Sequence, residues 1–280
     1  MKNLGKLIKY DFMDASKLII PFYIGMGVMG IVIRVFWFIL LNEKIDERVR
    51  ISTGVFQFMS YFGYVIAIIG IILMTYYAVI IRYYRSIYGN EGYLTNTLPI
   101  ETYEIILAKL LTFFSWFVVN GIIIFFTFWF IIPLEEVFKA NIFRPEAFRE
   151  IEMFLRHSVG TTLIIGIISL LVMTIEKILF LFLCVSIANM VKSYRILTGV
   201  GAYIILGGVI NLIKRMILTV SYIFDIKNYS NIYNNTDLGA LKTFEYIFNT
   251  NLGLIYISIM FSIILFFIVN YLLKNKLNLE

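Results

Sequence analysis

Two long stretches without any charged residue constrain this chain more than any other feature of its sequence. Residues 53–81 and 110–133 contain no Asp, Glu, Lys or Arg. A helix needs about 20 consecutive apolar residues to cross the hydrocarbon core of a bilayer, so both stretches are long enough to span. Between them lies a polar segment, residues 82–99, which we call the break segment. This pattern predicts two membrane-spanning helices joined by a short element at the membrane surface.

The composition extends this prediction to the whole chain. Hydrophobic residues make up 60% of the sequence and charged residues only 15%, which is outside the range of soluble domains. Continuous apolar runs, rather than alternating ten-residue segments, favour helices over a barrel. We therefore predict an all-α polytopic membrane protein with one transmembrane domain over residues 1–280. Its six predicted spans lie at about 18–41, 53–81, 102–132, 159–188, 196–213 and 252–273.

The distribution of positive charge predicts the orientation of the chain. Four lysines precede the first span, namely Lys2, Lys6, Lys9 and Lys17. Because Lys and Arg are enriched on the cytoplasmic side, we expect both termini inside and the loops 133–158 and 214–251 outside a cell membrane. The net charge of +6 is not arranged in a Lys/Arg stripe. It therefore suits anionic lipid headgroups and does not indicate nucleic acid.

The break segment contains signals for a short surface element. One helical face carries three apolar or aromatic residues, Tyr84, Ile87 and Tyr88. Gly89 and Gly92 permit the backbone angles that end a helix, and Pro99 suits the start of the next one. Physical reasoning alone leaves two interpretations, a well-capped cytoplasmic turn or a docking element.

A family resemblance favours the docking element. A basic N-terminal segment, six spans and the stretch Glu91-Gly-Tyr-Leu-Thr-Asn-Thr-Leu-Pro99 between spans two and three resemble the permease subunits of bacterial ATP-binding-cassette transporters of the type-2 exporter family. The resemblance covers the whole chain as a topology, but only residues 82–110 as a motif. Glu101 departs from the small hydroxyl residue expected near that helix start. The resemblance implies that the 82–98 loop contains a cytoplasmic coupling helix that docks on a separate ATPase. The residues that match the family's docking stretch are Arg85, Gly89, Glu91, Gly92, Tyr93, Leu94 and Pro99.

The resemblance also implies a function. The chain would be the permease of an ABC transporter, forming the pathway for ATP-driven export of a peptide, drug or lipid-like cargo. It would pair with a second permease, either another copy or a homologue, and with separate ABC ATPase subunits. ATP and Mg²⁺ would bind to those ATPases, so we expect no cofactor, metal or enzymatic activity in this chain. The choice between a homodimer and a heterodimer, and the identity of the cargo, stay open.

The N-terminal segment fits an amphipathic helix in the membrane interface, as the family has before its first span. The residues on its apolar face are Leu4, Leu7, Ile8 and Phe12, and the lysines lie off that face. The alternative is a positively charged topogenic tail whose periodicity is accidental.

Three charged residues inside the predicted spans need an explanation: Arg34, Glu176 and Lys177. Each costs at least about 2.5–3.5 kcal/mol at the centre of a bilayer. An Arg34–Glu176 pair is feasible, because the two residues lie at similar depths. In the other interpretation Arg34 extends outward past the end of its span, while Glu176 and Lys177 face neighbouring subunits or a wet cavity.

Motifs for catalysis are missing from the sequence. There is no Gly-x-x-x-x-Gly-Lys-Ser/Thr phosphate loop, and the chain has one histidine, His157, and one cysteine, Cys184. Two further functions remain as alternatives. The protein could be an ion-coupled secondary transporter that uses Glu176, or a non-transporting membrane receptor or assembly factor.

Overall fold

The computed structural model describes residues 2–40, 46–89, 92, 101–132, 160–191, 194–229 and 239–276. These residues form six α-helices and no strand. The helices are α1 (Lys2–Leu40), α2 (Glu47–Ile87), α3 (Thr102–Ile131), α4 (Gly160–Met190), α5 (Arg195–Tyr229) and α6 (Gly239–Lys276). All six are long and apolar enough to cross a membrane. The predicted all-α, multi-pass architecture with six spans is confirmed.

Four helices extend well beyond the predicted spans, and one of them is α6, which begins at Gly239 and not at residue 252. The N-terminal segment and the first span form one continuous helix, α1, with Pro21 inside it. α2 continues past residue 81 to Ile87, and α5 continues past residue 213 to Tyr229. The charged residues Arg82 and Lys214, which the sequence analysis placed at the ends of spans, therefore lie within helices. Both have partners on other helices, described below, and this pairing offsets their cost.

The described part of the chain divides into two compact units. Unit 1 comprises α1, α2 as far as Arg82, and α3 from Leu111 onward. Unit 2 comprises the end of α2 from Tyr83, the start of α3 up to Leu110, and the three helices α4, α5 and α6. The two ends of the break segment thus belong to different units, since Arg82 is in unit 1 and the stretch that follows it is in unit 2.

Within unit 1, α1 and α2 run antiparallel and approach closely at glycines of α2. A β-carbon at Gly63 would lie 3.2 Å from the Met29 side chain, and one at Gly70 would lie 3.3 Å from the Phe22 ring. Glycine allows two helix backbones to come close together in a membrane, where packing rather than the hydrophobic effect drives association.

A chain of hydrogen bonds joins all three helices of unit 1. The Tyr23 hydroxyl on α1 donates to Oδ1 of Asn120 on α3. The Asn120 side-chain amide donates in turn to the Thr75 hydroxyl on α2, at 2.8 Å. Thr75 completes the chain by donating to the Ile71 carbonyl. These buried polar groups satisfy one another, as groups removed from water must.

Unit 2 is built around α4. Its residues from Ile178 to Cys184 are all buried, so this part of the helix is covered on every side. α5 runs antiparallel to α4, because a β-carbon at Gly199 would contact Ala188 and one at Gly207 would contact Phe180. In contrast to α4, no residue in the membrane window of α5 is buried. One face of α5 packs closely on α4 through glycines, its Lys214 also contacts α6, and much of its remaining surface is open.

Candidate functional site

The first candidate site is the break segment, whose beginning continues α2. Arg85 is exposed there, whereas Ile87 is buried. The helix ends where the amides of Tyr88 and Gly89 both donate to the Tyr84 carbonyl, at 2.8 and 3.0 Å. The Gly92 amide then donates to the Gly89 carbonyl at 2.8 Å, which forms a further tight turn.

Gly89 and Gly92 are needed for close backbone approach. A β-carbon at Gly89 would lie 2.8 Å from the Arg85 carbonyl oxygen, and one at Gly92 would overlap the Ile87 carbonyl. Neither glycine has a positive φ. The prediction that these glycines supply special backbone angles is therefore wrong. The turn is too compact for any side chain at these two positions.

Aromatic contacts anchor the start of the break segment to α4. The Tyr83 ring is fully buried and stacks on Phe182, with 4.1 Å between ring centroids. Its hydroxyl lies 3.1 Å from the Ser186 hydroxyl. Tyr88 packs edge-on against Tyr83, and burial raises the pKa of the Tyr88 phenol. A movement of this part of the chain would therefore be transmitted to α4 through these contacts.

A second contact anchors the chain just after the break segment. The Thr102 hydroxyl at the start of α3 donates to Oδ1 of Asn270 near the end of α6, at 2.8 Å. Glu101, the position at which a hydroxyl residue was expected, precedes α3, and its carbonyl accepts the Glu104 amide. Four of the predicted coupling residues lie outside the described residues: Glu91, Tyr93, Leu94 and Pro99.

Arg82 forms an ion-pair cluster that was not predicted from the sequence. This guanidinium is buried in unit 1, and its Nη2 lies 2.6 Å from Asp14 Oδ2 and 3.3 Å from Asp11 Oδ1. The Lys17 ammonium pairs with the same Asp14, at 3.0 Å. A signal was present, because Asp11 and Asp14 are the only acidic residues before Glu43 and their spacing puts them on one helical face.

The second candidate site is the set of charged residues in the membrane helices. Glu176 on α4 is buried, and the Lys214 ammonium on α5 donates to its Oε2. Lys214 also donates to the Ser258 hydroxyl on α6, at 3.2 Å, and lies 5.5 Å from the centre of the Phe261 ring. One ion pair thus links all three helices of unit 2. Lys214 was predicted only to end the fifth span, and its pairing with Glu176 was not predicted.

The other two predicted intramembrane residues are exposed. Arg34 Nη1 lies 3.5 Å from the Ile132 carbonyl, a long contact at the end of α3 where helix carbonyls lack partners. Lys177 is exposed on α4, next to the buried Glu176. Arg34 was predicted as a feasible partner of Glu176, but in the structure Glu176 pairs with Lys214.

We found no candidate metal site among the described residues and no similar protein that would indicate the function of these two sites. The residues that the structure describes contain no group of His, Cys, Asp and Glu side chains that could hold a metal ion. Comparison with protein families, with curated proteins and with solved structures found no match.

Proposed function

We propose that this protein is the permease subunit of an ABC exporter and is coupled to a separate ATPase through the break segment. The observation that carries the proposal is the anchoring of that segment to α4 through Tyr83, Phe182 and Ser186. A docking element must be fixed to the helices that it moves, and an ordinary connecting turn needs no such attachment. The six membrane helices and the family-like stretch 91–99 support the same conclusion.

Coupling in this proposal is a rigid-body switch. ATP and Mg²⁺ bind to the partner ATPases, whose closure pushes on the break segment from the cytoplasm. The push reaches α4 through the Tyr83 ring and α6 through the Thr102–Asn270 hydrogen bond. A second permease, either another copy of this chain or a homologue, completes the export pathway in the bacterial cell membrane. The cargo is a peptide, a drug or a lipid-like molecule, and the chain itself catalyses no reaction.

Substitutions in the break segment test this proposal. The protein is co-expressed with a candidate ABC ATPase from the same genome, and ATPase co-purification and transport into inverted vesicles are measured. Tyr93→Ala should reduce both, because truncating a central aromatic contact often costs about 2 kcal/mol or more. Gly92→Ala should reduce transport because its β-carbon would overlap the Ile87 carbonyl.

Gly201→Ala is the matched control, because a β-carbon there meets nothing within 4 Å. It should preserve both co-purification and transport. If Tyr93→Ala and Gly92→Ala both keep wild-type ATPase association and transport, the break segment is an ordinary turn and the permease proposal fails.

One observation favours a second candidate, an ion-coupled secondary transporter. Buried ionisable residues in membrane helices commonly mark ion pathways, and Glu176 is such a residue, paired with Lys214. This candidate predicts transport that needs no ATPase, resists vanadate and stops when the proton gradient is collapsed. Vanadate-sensitive transport that depends on the ATPase would instead support the permease.

A further inference from the structure

The charges around the Glu176–Lys214 ion pair do not balance. Glu176 neutralises Lys214, but each of these residues is followed in sequence by an exposed cation, Lys177 on α4 and Arg215 on α5. Consecutive Cα atoms are about 3.8 Å apart, so both exposed cations lie at the level of the ion pair. Among the residues that the structure describes, this level therefore carries two positive charges beyond the neutral ion pair.

This level lies deep within the apolar part of α4. Lys177 is 13 residues from either end of the membrane window Ile164–Met190, which is about 20 Å along the helix and farther than a lysine side chain can reach. Among the side chains of α4, α5 and α6 that the structure describes, Glu176 is the only carboxylate. The described side chains of these three helices therefore offer Lys177 and Arg215 no free carboxylate, and an unpaired cation at this depth is costly.

The surface next to these cations is apolar and open. No residue in the membrane window of α5 is buried, and large side chains along it are strongly exposed. They include Ile204, Ile205, Leu212 and Met216, each with more than 60% of its surface uncovered. A ligand bound here would meet two positive charges at the level of the ion pair and an extended apolar face on α5.

We propose that Lys177 and Arg215 bind the acidic group of an amphiphilic cargo whose apolar body lies along α5. The charge complementarity is specific to an acid, because an uncharged or cationic amphiphile would leave both cations unpaired. Lys214 contributes no direct contact, since Glu176 and Ser258 already hold its ammonium. This inference rests on the proposed function, whose cargo class it narrows to acidic amphiphiles.

Binding to the purified protein tests the site. The protein is held in dodecyl maltoside, an uncharged detergent, and titrated with 11-dansylaminoundecanoic acid and with its methyl ester. The wild type should bind the acid at least about tenfold more tightly than the ester. Lys177→Gln/Arg215→Gln should lose this preference yet still bind the ester as the wild type does, which shows that the protein remains folded.

Arg195→Gln/Lys274→Gln is the matched control. It removes two exposed cations at the ends of α5 and α6 and should keep the preference for the acid. Equal affinity of the wild type for acid and ester would overturn the proposal, as would a preference that survives in the Lys177/Arg215 variant. Displacement of the probe by phosphatidylglycerol as effectively as by undecanoic acid would assign the site to bilayer lipid and overturn the cargo assignment. Because no ATPase is present, failure here is independent of failure of the permease proposal.

Discussion

The ion pair between Glu176 and Lys214 is enclosed by its surroundings. Only 4% of the Glu176 side chain and 13% of the Lys214 side chain are accessible. In such a setting the two charges lose their hydration and depend on each other. Removing one partner from a buried pair leaves an uncompensated charge, whereas replacing both with apolar residues is often neutral.

We therefore predict a distinctive order of stabilities for variants of this pair. Glu176→Leu and Lys214→Leu should each destabilise unit 2 by about 3–5 kcal/mol, because each leaves the other charge alone. Glu176→Gln should cost less, because its side-chain oxygen can still accept from Lys214. The Glu176→Leu/Lys214→Leu double variant should recover most of the loss. SDS titration measures the free energy of unfolding of all four variants. A double variant whose loss of stability equals the sum of the two single losses would show that the residues do not interact.

At the scale of elements, the contact between α1 and α2 depends on which glycines meet the neighbouring helix. A β-carbon at Gly63 or Gly70 would come closer to Met29 or Phe22 than an ordinary van der Waals contact, whereas one at Gly54 on the same helix would meet nothing within 4 Å. Close backbone approach therefore occurs at particular positions of α2 and not along its whole length.

Replacing a glycine with leucine should destabilise the protein at a packed position of α2 but not at an open one. Gly63→Leu places a side chain where Met29 already lies, and overpacking of this kind costs roughly 1–3 kcal/mol. Gly54→Leu adds the same side chain to an open position and should leave stability unchanged. Thermal unfolding in detergent provides the comparison. An equal loss in both variants would mean that leucine disturbs the helix itself and not its contact with α1.

The helices were predictable from sequence to the extent that their signals are local. Apolar runs of 18 residues or more identified all six, because a membrane helix is recognised by its own composition. The ends of α2 and α5 were misplaced because Arg82 and Lys214 look like terminating charges. Their partners are 68 and 38 residues away in sequence, on helices whose packing no local pattern reveals. The same limit applies to the candidate sites, where Glu176 was identified but its partner was not.

At the scale of the whole molecule, the six helices and the lysine-rich N-terminus predict an orientation with both termini in the cytoplasm. Single cysteines placed in a Cys184→Ser background can test it with a membrane-impermeant maleimide. Arg85→Cys and Tyr194→Cys, both at exposed positions, should react only after permeabilisation. Asp46→Cys, also exposed, should react in intact cells. The reverse pattern at all three positions would invert the topology, and a mixed pattern would contradict six spans.

The division of the chain into two units has a consequence for the time course of its synthesis. The Tyr83–Ser186 contact joins residues 103 positions apart, and the Thr102–Asn270 contact joins residues 168 positions apart. At about 5–20 residues per second, the ribosome needs roughly 5–20 s to supply the first partner and roughly 8–34 s to supply the second. The polar chain from Tyr23 to Asn120, by contrast, can close as soon as the third helix has left the ribosome. Tyr83 and Thr102, on either side of residues 84–101, therefore gain their partners only after all of unit 1 has been translated. The partner of Thr102 lies on α6, the last helix to be translated.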